Sequence, residues 1–515
     1  MSEQLALLPG YLTAHLQLTL VALLLGTALS VPLGVMVTRM HWMEQPIMGG
    51  ASVIQTIPSL ALLAIMVPML AALDLQSIGY PPAVIGLTLY SVLPILRNTV
   101  AGLQSVDPAL VEAARGVGMT SAQQLRRVEL PVAMPVIVAG IRTATVWTVG
   151  IATLATPVGA TSLGNYIFTG LQTRNFTAVI VGCIAASILA LVLDGLVRAL
   201  EVAVKRRSRA LAATVLVVLA LLFLFAGGSV ARHLFAHRSD RIIIGAKSFT
   251  EQYILSEILA KRIQQSSGLE TTVLQSLGST VAFDALRSGE IDVYIDYSGT
   301  IWATIMKRDG VPEDRSEVLG EVARYLLNEH GILQVGALGF ENTYALAMRQ
   351  HQARELAVRR ISDLTLYAPK LSMGGDYEFF GRPEWRAIQK AYDLDFAAKR
   401  SMDSSLMYQA IANGSVDVIS AYSTDGRIAA FKLQVLEDDR GAIPPYDAII
   451  LVSSRLARDH PAVVGALRQL AGTIDAERMR QMNFAVDKLG RTPAEVAAEF
   501  LSQKPLEPPA GSQSE

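Results

Sequence analysis

Asp107-Pro108-Ala109-Leu110-Val111-Glu112-Ala113-Ala114-Arg115-Gly116-Val117-Gly118, running on to Val128-Glu129-Leu130-Pro131, is a polar passage set between long apolar stretches. Asp107-Pro108 reads as a helix start. Proline is tolerated in the first turn, where its missing N–H has no partner to lose, and aspartate is favoured at the positive end. Glu112 to Arg115 continue a short helix and Gly118 ends it. A second amphipathic segment carrying Gln123, Gln124, Arg126 and Arg127 follows, and Pro131 opens the next apolar run. A compact polar helix pair of this kind is a docking surface.

Outward from it, residues 1 to about 230 hold apolar runs near 12–36, 46–70, 80–103, 136–158, 177–199 and 210–229. Each is close to the about 20 apolar residues that a bilayer core requires, so six membrane spans are expected. Of the 515 residues, 51% are hydrophobic and 17% charged, more apolar than a soluble chain. The first run has no basic residue before it and no cleavage site after it, so it is expected to stay in the mature chain rather than act as a signal peptide. Basic residues gather after span 1 (Arg39, with His41), between spans 3 and 4 (Arg115, Arg126, Arg127) and between spans 5 and 6 (Lys205, Arg206, Arg207, Arg209). Short cytoplasmic loops carry such excess. The polar helix pair is therefore expected in the cytoplasm, and the N-terminus and everything after span 6 outside a cell (inner) membrane. Pro32, Pro58, Pro68, Pro94 and Pro157 fall in or at the ends of spans, where they kink or end helices or line a path. Asp194 and Arg97 should face protein or reach the interface.

The helix pair resembles the coupling loop of ABC-type import permeases, whose pattern is Glu-Ala-Ala, three residues, Gly, nine residues, Ile, one residue, Leu-Pro. Glu112, Ala113, Ala114, Gly118, Leu130 and Pro131 fit it, with Val128 in place of isoleucine. The resemblance implies that this loop enters a groove of a separate ATPase subunit. No Gly, four residues, Gly-Lys-Ser/Thr pattern occurs in the chain, so ATP and Mg belong to that partner and no cofactor is expected here. It also implies a permease homodimer. Pro157-Val158-Gly159-Ala160-Thr161-Ser162-Leu163-Gly164 looks like the glycine-rich turn after the family's fourth span.

From Arg241 onward the pattern changes to strand (Ile242-Ile243-Ile244-Gly245), helix (Thr250 to about Gln265), strand (Thr271 to Leu277). Alternation of this kind predicts an α/β domain with a parallel sheet, whose ligands sit at the carboxyl ends of strands. The sequence also repeats itself. Ala285-Leu286-Arg287-Ser288-Gly289-Glu290-Ile291-Asp292-Val293 leads to Tyr297-Ser298, and Ala410-Ile411-Ala412-Asn413-Gly414-Ser415-Val416-Asp417-Val418 leads to Tyr422-Ser423. Each copy reads as helix, glycine stop, strand, with a tyrosine just past the strand. Two lobes would then each present a tyrosine to the cleft between them. Tyrosine faces attract cations, and quaternary ammonium groups are held in aromatic cages. Tyr253, Tyr294, Tyr344, Tyr377, Tyr408 and Tyr446 are further candidates.

Residues 242 to about 500 resemble the binding proteins for glycine betaine, choline and carnitine. The resemblance rests on Gly245 to Tyr253, Tyr297-Ser298-Gly299-Thr300, Asn342-Thr343-Tyr344-Ala345-Leu346, Ala421-Tyr422-Ser423-Thr424-Asp425-Gly426 and Pro445-Tyr446-Asp447. It implies a two-lobed, periplasmic-binding-protein-like domain in which Tyr297, Tyr344, Tyr422 and Tyr446 cage a trimethylammonium head. Lys247, Thr300 and Arg382 would meet a carboxylate, although Lys247 and Arg382 read equally well as ion-pair residues. Asn342 stands where some relatives have Asp, which leaves the preferred amine open. Relatives that transport ergothioneine share the fused layout, so that solute stays open too.

The fold expected is thus an α-helical polytopic membrane domain (1–209, with the coupling loop at 107–131), a sixth span and linker (210–239), an extracytoplasmic binding domain (240–505) and a disordered tail (506–515). A net charge of −1 supports no nucleic-acid partner. The single Cys183 in an apolar run reads as a packing residue. No nucleophile elbow, metal-ligand cluster or catalytic carboxylate pair is found, so a transporter component rather than an enzyme is expected. Two rivals remain. One is a ligand-sensing receptor, which has no need of an ATPase loop. The other is an importer of polar amino acids, whose ammonium group would need Asp296, Asp376 or Glu378.

Overall fold

The computed structural model describes residues 2–235 apart from Asp74, Arg174 and Arg207, and residues 241–308 and 315–503. The expected domain junction at Asp240, Arg207 of the third basic cluster, and the tail after Gln503 lie outside the described residues. The chain divides into two compact units, Met1–Phe168 with Thr177–Ser239, and Asp240–Glu515 with the short segment Thr169–Phe176.

The first unit is helical: α1 (Ser2–Arg39), α2 (Glu44–Thr56), α3 (Ser59–Ala72), α4 (Tyr80–Gln104), α5 (Pro108–Gly116), α6 (Ser121–Gln124), α7 (Leu130–Ala152), α8 (Gly164–Gln172), α9 (Phe176–Lys205) and α10 (Arg209–Phe235). Among the described residues, four helical runs are long and apolar enough to cross a membrane: those of α1, α4, α6 with α7, and α9. The second expected span is not straight. α2 and α3 meet at 102°, because Pro58 has no N–H to continue the helix and forces Ile57 into extended backbone at φ −68°, ψ 128°. The sixth expected span lies in α10, which is apolar over Arg209–Phe225.

α4 packs against both α1 and α7 through small residues. A Cβ on Gly34 would meet Thr99 Cγ2 at 2.5 Å, and one on Gly140 would meet the Pro94 carbonyl at 2.9 Å, so glycine permits the close approach. Asp194 faces protein. It takes a bidentate ion pair from Arg142 at 2.6 and 3.0 Å, joining α9 to α7. At the N-terminal end of α7, buried Glu129 accepts from Arg39 at 2.6 Å and from Gln124, tying the turn after α6 to the end of α1.

The second unit has two five-stranded sheets. The first runs β2 (Glu270–Leu277), β1 (Arg241–Lys247), β3 (Val293–Tyr297), β10 (Asp447–Val452), β4 (Leu333–Glu341); the second runs β7 (Ala398–Ser401), β6 (Ser372–Gly375), β8 (Val418–Tyr422), β5 (Tyr344–Arg349), β9 (Leu433–Val435). The expectation of parallel sheets needs correction. β1, β2 and β3 are parallel, as are β6, β7 and β8, but β10 is antiparallel to β3 and β4, and β5 to β8 and β9. The chain passes between lobes twice, at Asn342-Thr343 and at Leu436 to Tyr446, and each strand that follows a crossing enters its sheet from the opposite end.

The internal repeat is structural. Helices Ser279–Arg287 and Ser404–Ala412 are followed by glycines in the left-handed region, Gly289 at φ +73° and Gly414 at φ +79°, then by β3 and β8. In each copy an aspartate before the strand takes the backbone N–H of the neighbouring strand, Asp292 from Ile243 and Asp417 from Ser372, both at 2.9 Å.

Candidate functional site: a tyrosine-walled cleft

Strand ends deliver the site. β1 ends on Lys247, β3 on Tyr297 and β8 on Tyr422, while β5 begins on Tyr344 directly across the ladder from Tyr422. Tyr446 is the last residue before β10, and Asn342 stands in the first crossing. Lys247, Tyr297, Thr300, Asn342, Tyr344, Arg382, Tyr422 and Tyr446 all line one cleft, joined by Phe249, Ser279 and Glu378. The eight residues that the resemblance marks for solute binding therefore share one cleft.

The rings are set at angles suited to surrounding a small group. Tyr344 lies 4.9 Å from Tyr422 at 41° and 5.9 Å from Tyr446 at 86°. Phe249, which sequence reasoning did not select, stacks on Tyr422 at 6.1 Å and lies 6.2 Å from Tyr297, bridging the two tyrosines of the repeat. Its only signal was its place within the Gly245 to Tyr253 phrase. Gly299 permits this packing, since a Cβ there would sit 2.6 Å from the Tyr446 ring.

Lys247 and Arg382 both line the cleft and both carry ion pairs. Lys247 Nζ bonds to buried Asp296 and lies 5.6 Å from the Tyr297 ring centre. Arg382 bonds to Glu384 at 3.1 Å and Glu378 at 3.2 Å, and its guanidinium lies 5.3 Å from the Tyr344 ring. Of the acids a primary ammonium would need, Asp296 is thus taken by Lys247. Asp376 accepts the backbone N–H groups of Glu378 and Phe379 at 2.8 and 2.9 Å. Glu378 stays more than half exposed.

The remaining candidate tyrosines have other work. Tyr253 shares a hydrogen bond of 2.7 Å with Ser276, Tyr294 donates to Asp296 at 2.6 Å, Tyr408 is fully buried under Arg427, and Tyr377 is exposed. Behind the cleft lies a residue the sequence reading passed over. Glu251, buried in the first turn of α11 (Thr250–Ser267), accepts from Tyr297 Oη at 2.6 Å, Thr424 Oγ1 at 2.5 Å, Asn342 Nδ2 at 3.0 Å and Asn483 Nδ2 at 3.2 Å. Burial pushes its carboxyl above the ordinary range, and these bonds oppose that push. Burial and the neighbouring Glu251 hold the Tyr297 phenol well above its usual value, so it stays a donor.

In the helical unit, Glu112 and Ala113 are exposed on α5 while Ala114 is buried. Gly118 turns the chain at φ +79°, and Val128, Leu130 and Pro131 lead into α7. Leu110 and Val117 add exposed apolar surface to the same helix pair.

Residues 240–503 match the family model of the substrate-binding domain of ABC-type glycine betaine transport systems, and residues 30–206 that of the binding-protein-dependent transport system inner membrane component. The chain is 30% identical over 461 residues to the ergothioneine transport permease/ergothioneine binding protein of Helicobacter pylori (strain G27), covering 87% of this chain and 81% of that one. It is 47% identical over 180 residues to the choline transport system permease protein of Bacillus subtilis (strain 168), 35% of this chain and 80% of that one. To the carnitine transport binding protein of Listeria monocytogenes serotype 1/2a (strain 10403S) it is 32% identical over 268 residues, 51% of this chain and 87% of that one.

Proposed function

The chain belongs to the ABC-type importers of the glycine betaine class, permease and substrate-binding domain in one polypeptide, and from that premise we propose that it captures and imports a quaternary ammonium solute such as glycine betaine, choline or carnitine. It is a transporter component, not an enzyme, and the ATPase of such systems is a separate subunit. The observation that carries the proposal is the meeting of four tyrosines, from both lobes and the second crossing, in one cleft. A trimethylammonium head has no N–H to donate, so ring faces are its best partners, each worth roughly 1–2 kcal/mol when desolvated. Lys247, Thr300 and Arg382 would hold a carboxylate at the other end, exchanging part of their present bonds for it.

The proposed division is residues 1–209 for the permease, 210–239 for the sixth span and linker, and 240–505 for the binding domain. The binding domain lies outside the inner membrane and closes on the solute. Two copies of the permease form the pathway. ATP and Mg act on the partner ATPase, which grips Glu112 to Pro131 and drives the spans between inward- and outward-facing states. A second solute, ergothioneine, is favoured by one observation: the relative from Helicobacter pylori covers both domains.

Calorimetric titration of the full chain in lipid nanodiscs with glycine betaine, choline, carnitine, ergothioneine and glutamine tests this. One trimethylammonium compound should bind with a Kd on the order of micromolar, weakened more than about 30-fold by Tyr297→Ala and by Tyr422→Ala. Binding of glutamine alone, or of an amine indifferent to both tyrosines, would overturn it.

A further inference from the structure

Three of the four cleft tyrosines give their hydroxyls to buried carboxylates. Tyr297 donates to Glu251 at 2.6 Å, Tyr422 to Asp376 at 3.1 Å, and Tyr446 to Glu384. The fourth, Tyr344, joins the set through the Tyr422 hydroxyl at 3.3 Å. The three acids differ in what else they hold. Glu384 is neutralised by Arg382. Glu251 and Asp376 are not: among the described residues no cation pairs with either, and every partner of both is a neutral donor.

An unpaired buried carboxylate is expensive, and a fold that needed only a hydrogen-bond acceptor there could use a glutamine or asparagine. Two such carboxylates stand at the hydroxyl ends of Tyr297 and Tyr422, one ring from each lobe. A phenol that donates to an anion gains electron density across its ring, and the anion's own field is weakly screened in the interior. Both effects make the ring face more negative where a cation would rest. Burial raises both carboxyls above the ordinary range, and the donors around each, four at Glu251 and three at Asp376, oppose that push and favour the anion.

We infer that Glu251 and Asp376 are the counter-charge of the cleft, positioning residues that act through Tyr297 and Tyr422 to select cationic over neutral solutes without touching them. This rests on the quaternary-ammonium assignment above. It explains how a cage with Asn342 rather than an acid in its wall still favours a cation. It also separates Glu384, whose charge Arg382 cancels, from the other two.

The test compares choline with its uncharged tert-butyl analogue on the full chain in nanodiscs. Glu251→Gln and Asp376→Asn should each weaken choline about tenfold or more and the neutral analogue less than about twofold, with the melting temperature monitored alongside. Tyr297→Phe should reproduce Glu251→Gln, and the two together should add little. Glu384→Gln should move both ligands alike. Equal losses for both ligands in the Glu251 and Asp376 variants, or unchanged choline affinity, would overturn the inference. If Glu251→Gln does not fold, Tyr297→Phe removes the same bond and carries the test. A wild-type chain that binds no quaternary amine sinks the solute assignment itself, a result distinct from wild-type binding with unchanged selectivity.

Discussion

The contacts of α7 in the helical unit and the wall behind the cleft tyrosines treat charge in opposite ways. In the helical unit Arg142 faces Asp194 and Arg39 faces Glu129, so each charge meets its opposite. In the cleft, Glu251 and Asp376 meet only neutral donors. Where a charge serves the scaffold, the fold cancels it. Where an arriving solute is the cation, cancelling it in advance would remove the attraction.

Substitutions can break that contrast. The largest effect is expected at Asp194→Ala, which leaves Arg142 only its longer contact with Glu201 at 3.8 Å. A loss of about 2 kcal/mol, between the values for exposed and buried pairs, should appear as a lower melting temperature in detergent, partly recovered by adding Arg142→Ala. A neutral outcome would mean the pair has no scaffold role. Next comes Gly299→Ala, whose methyl must displace the Tyr446 ring. Solute affinity should fall about tenfold, roughly 1.4 kcal/mol, with little change in melting temperature; an unchanged Kd would show that Tyr446 is not part of the cage. Arg39→Ala removes a half-exposed partner and should cost about 1 kcal/mol or less, since Glu129 keeps Gln124. Its uptake rate should drop while solute binding stays constant, and the reversed pair Arg39→Glu with Glu129→Arg should recover part of the uptake. Smallest are Gly289→Ala and Gly414→Ala, at about 1 kcal/mol each for the left-handed turn. Equal melting shifts would confirm the two lobes as copies at this turn, and unequal shifts would separate them.

Much of this was written in local pattern. Apolar runs announced the membrane helices because lipid demands about 20 such residues, and helix, glycine and strand recurred at fixed spacing because each lobe builds its cleft wall the same way. What stayed hidden was long-range. Asp194 finds Arg142 across 52 residues, and no periodicity encodes that choice. Strand direction in β5 and β10 depends on where the chain crosses between lobes, which neighbouring residues do not record. Pro58 was visible, but its 102° bend was not, since proline ends a helix without fixing the next one's direction. Glu251 is one acid in a first helical turn, and only its partners from four separate parts of the domain reveal it.

The second sheet is one uninterrupted stretch of chain, Tyr344 to Val435, entered and left at two junctions that are pinned together where Asn342 N–H donates to the Tyr446 carbonyl at 2.9 Å. In genetic terms half of the proposed cage is a single cassette. One recombination event bounded by those junctions would exchange Tyr344, Arg382 and Tyr422 together, so solute preference can be inherited by the lobe while the membrane machinery descends unchanged.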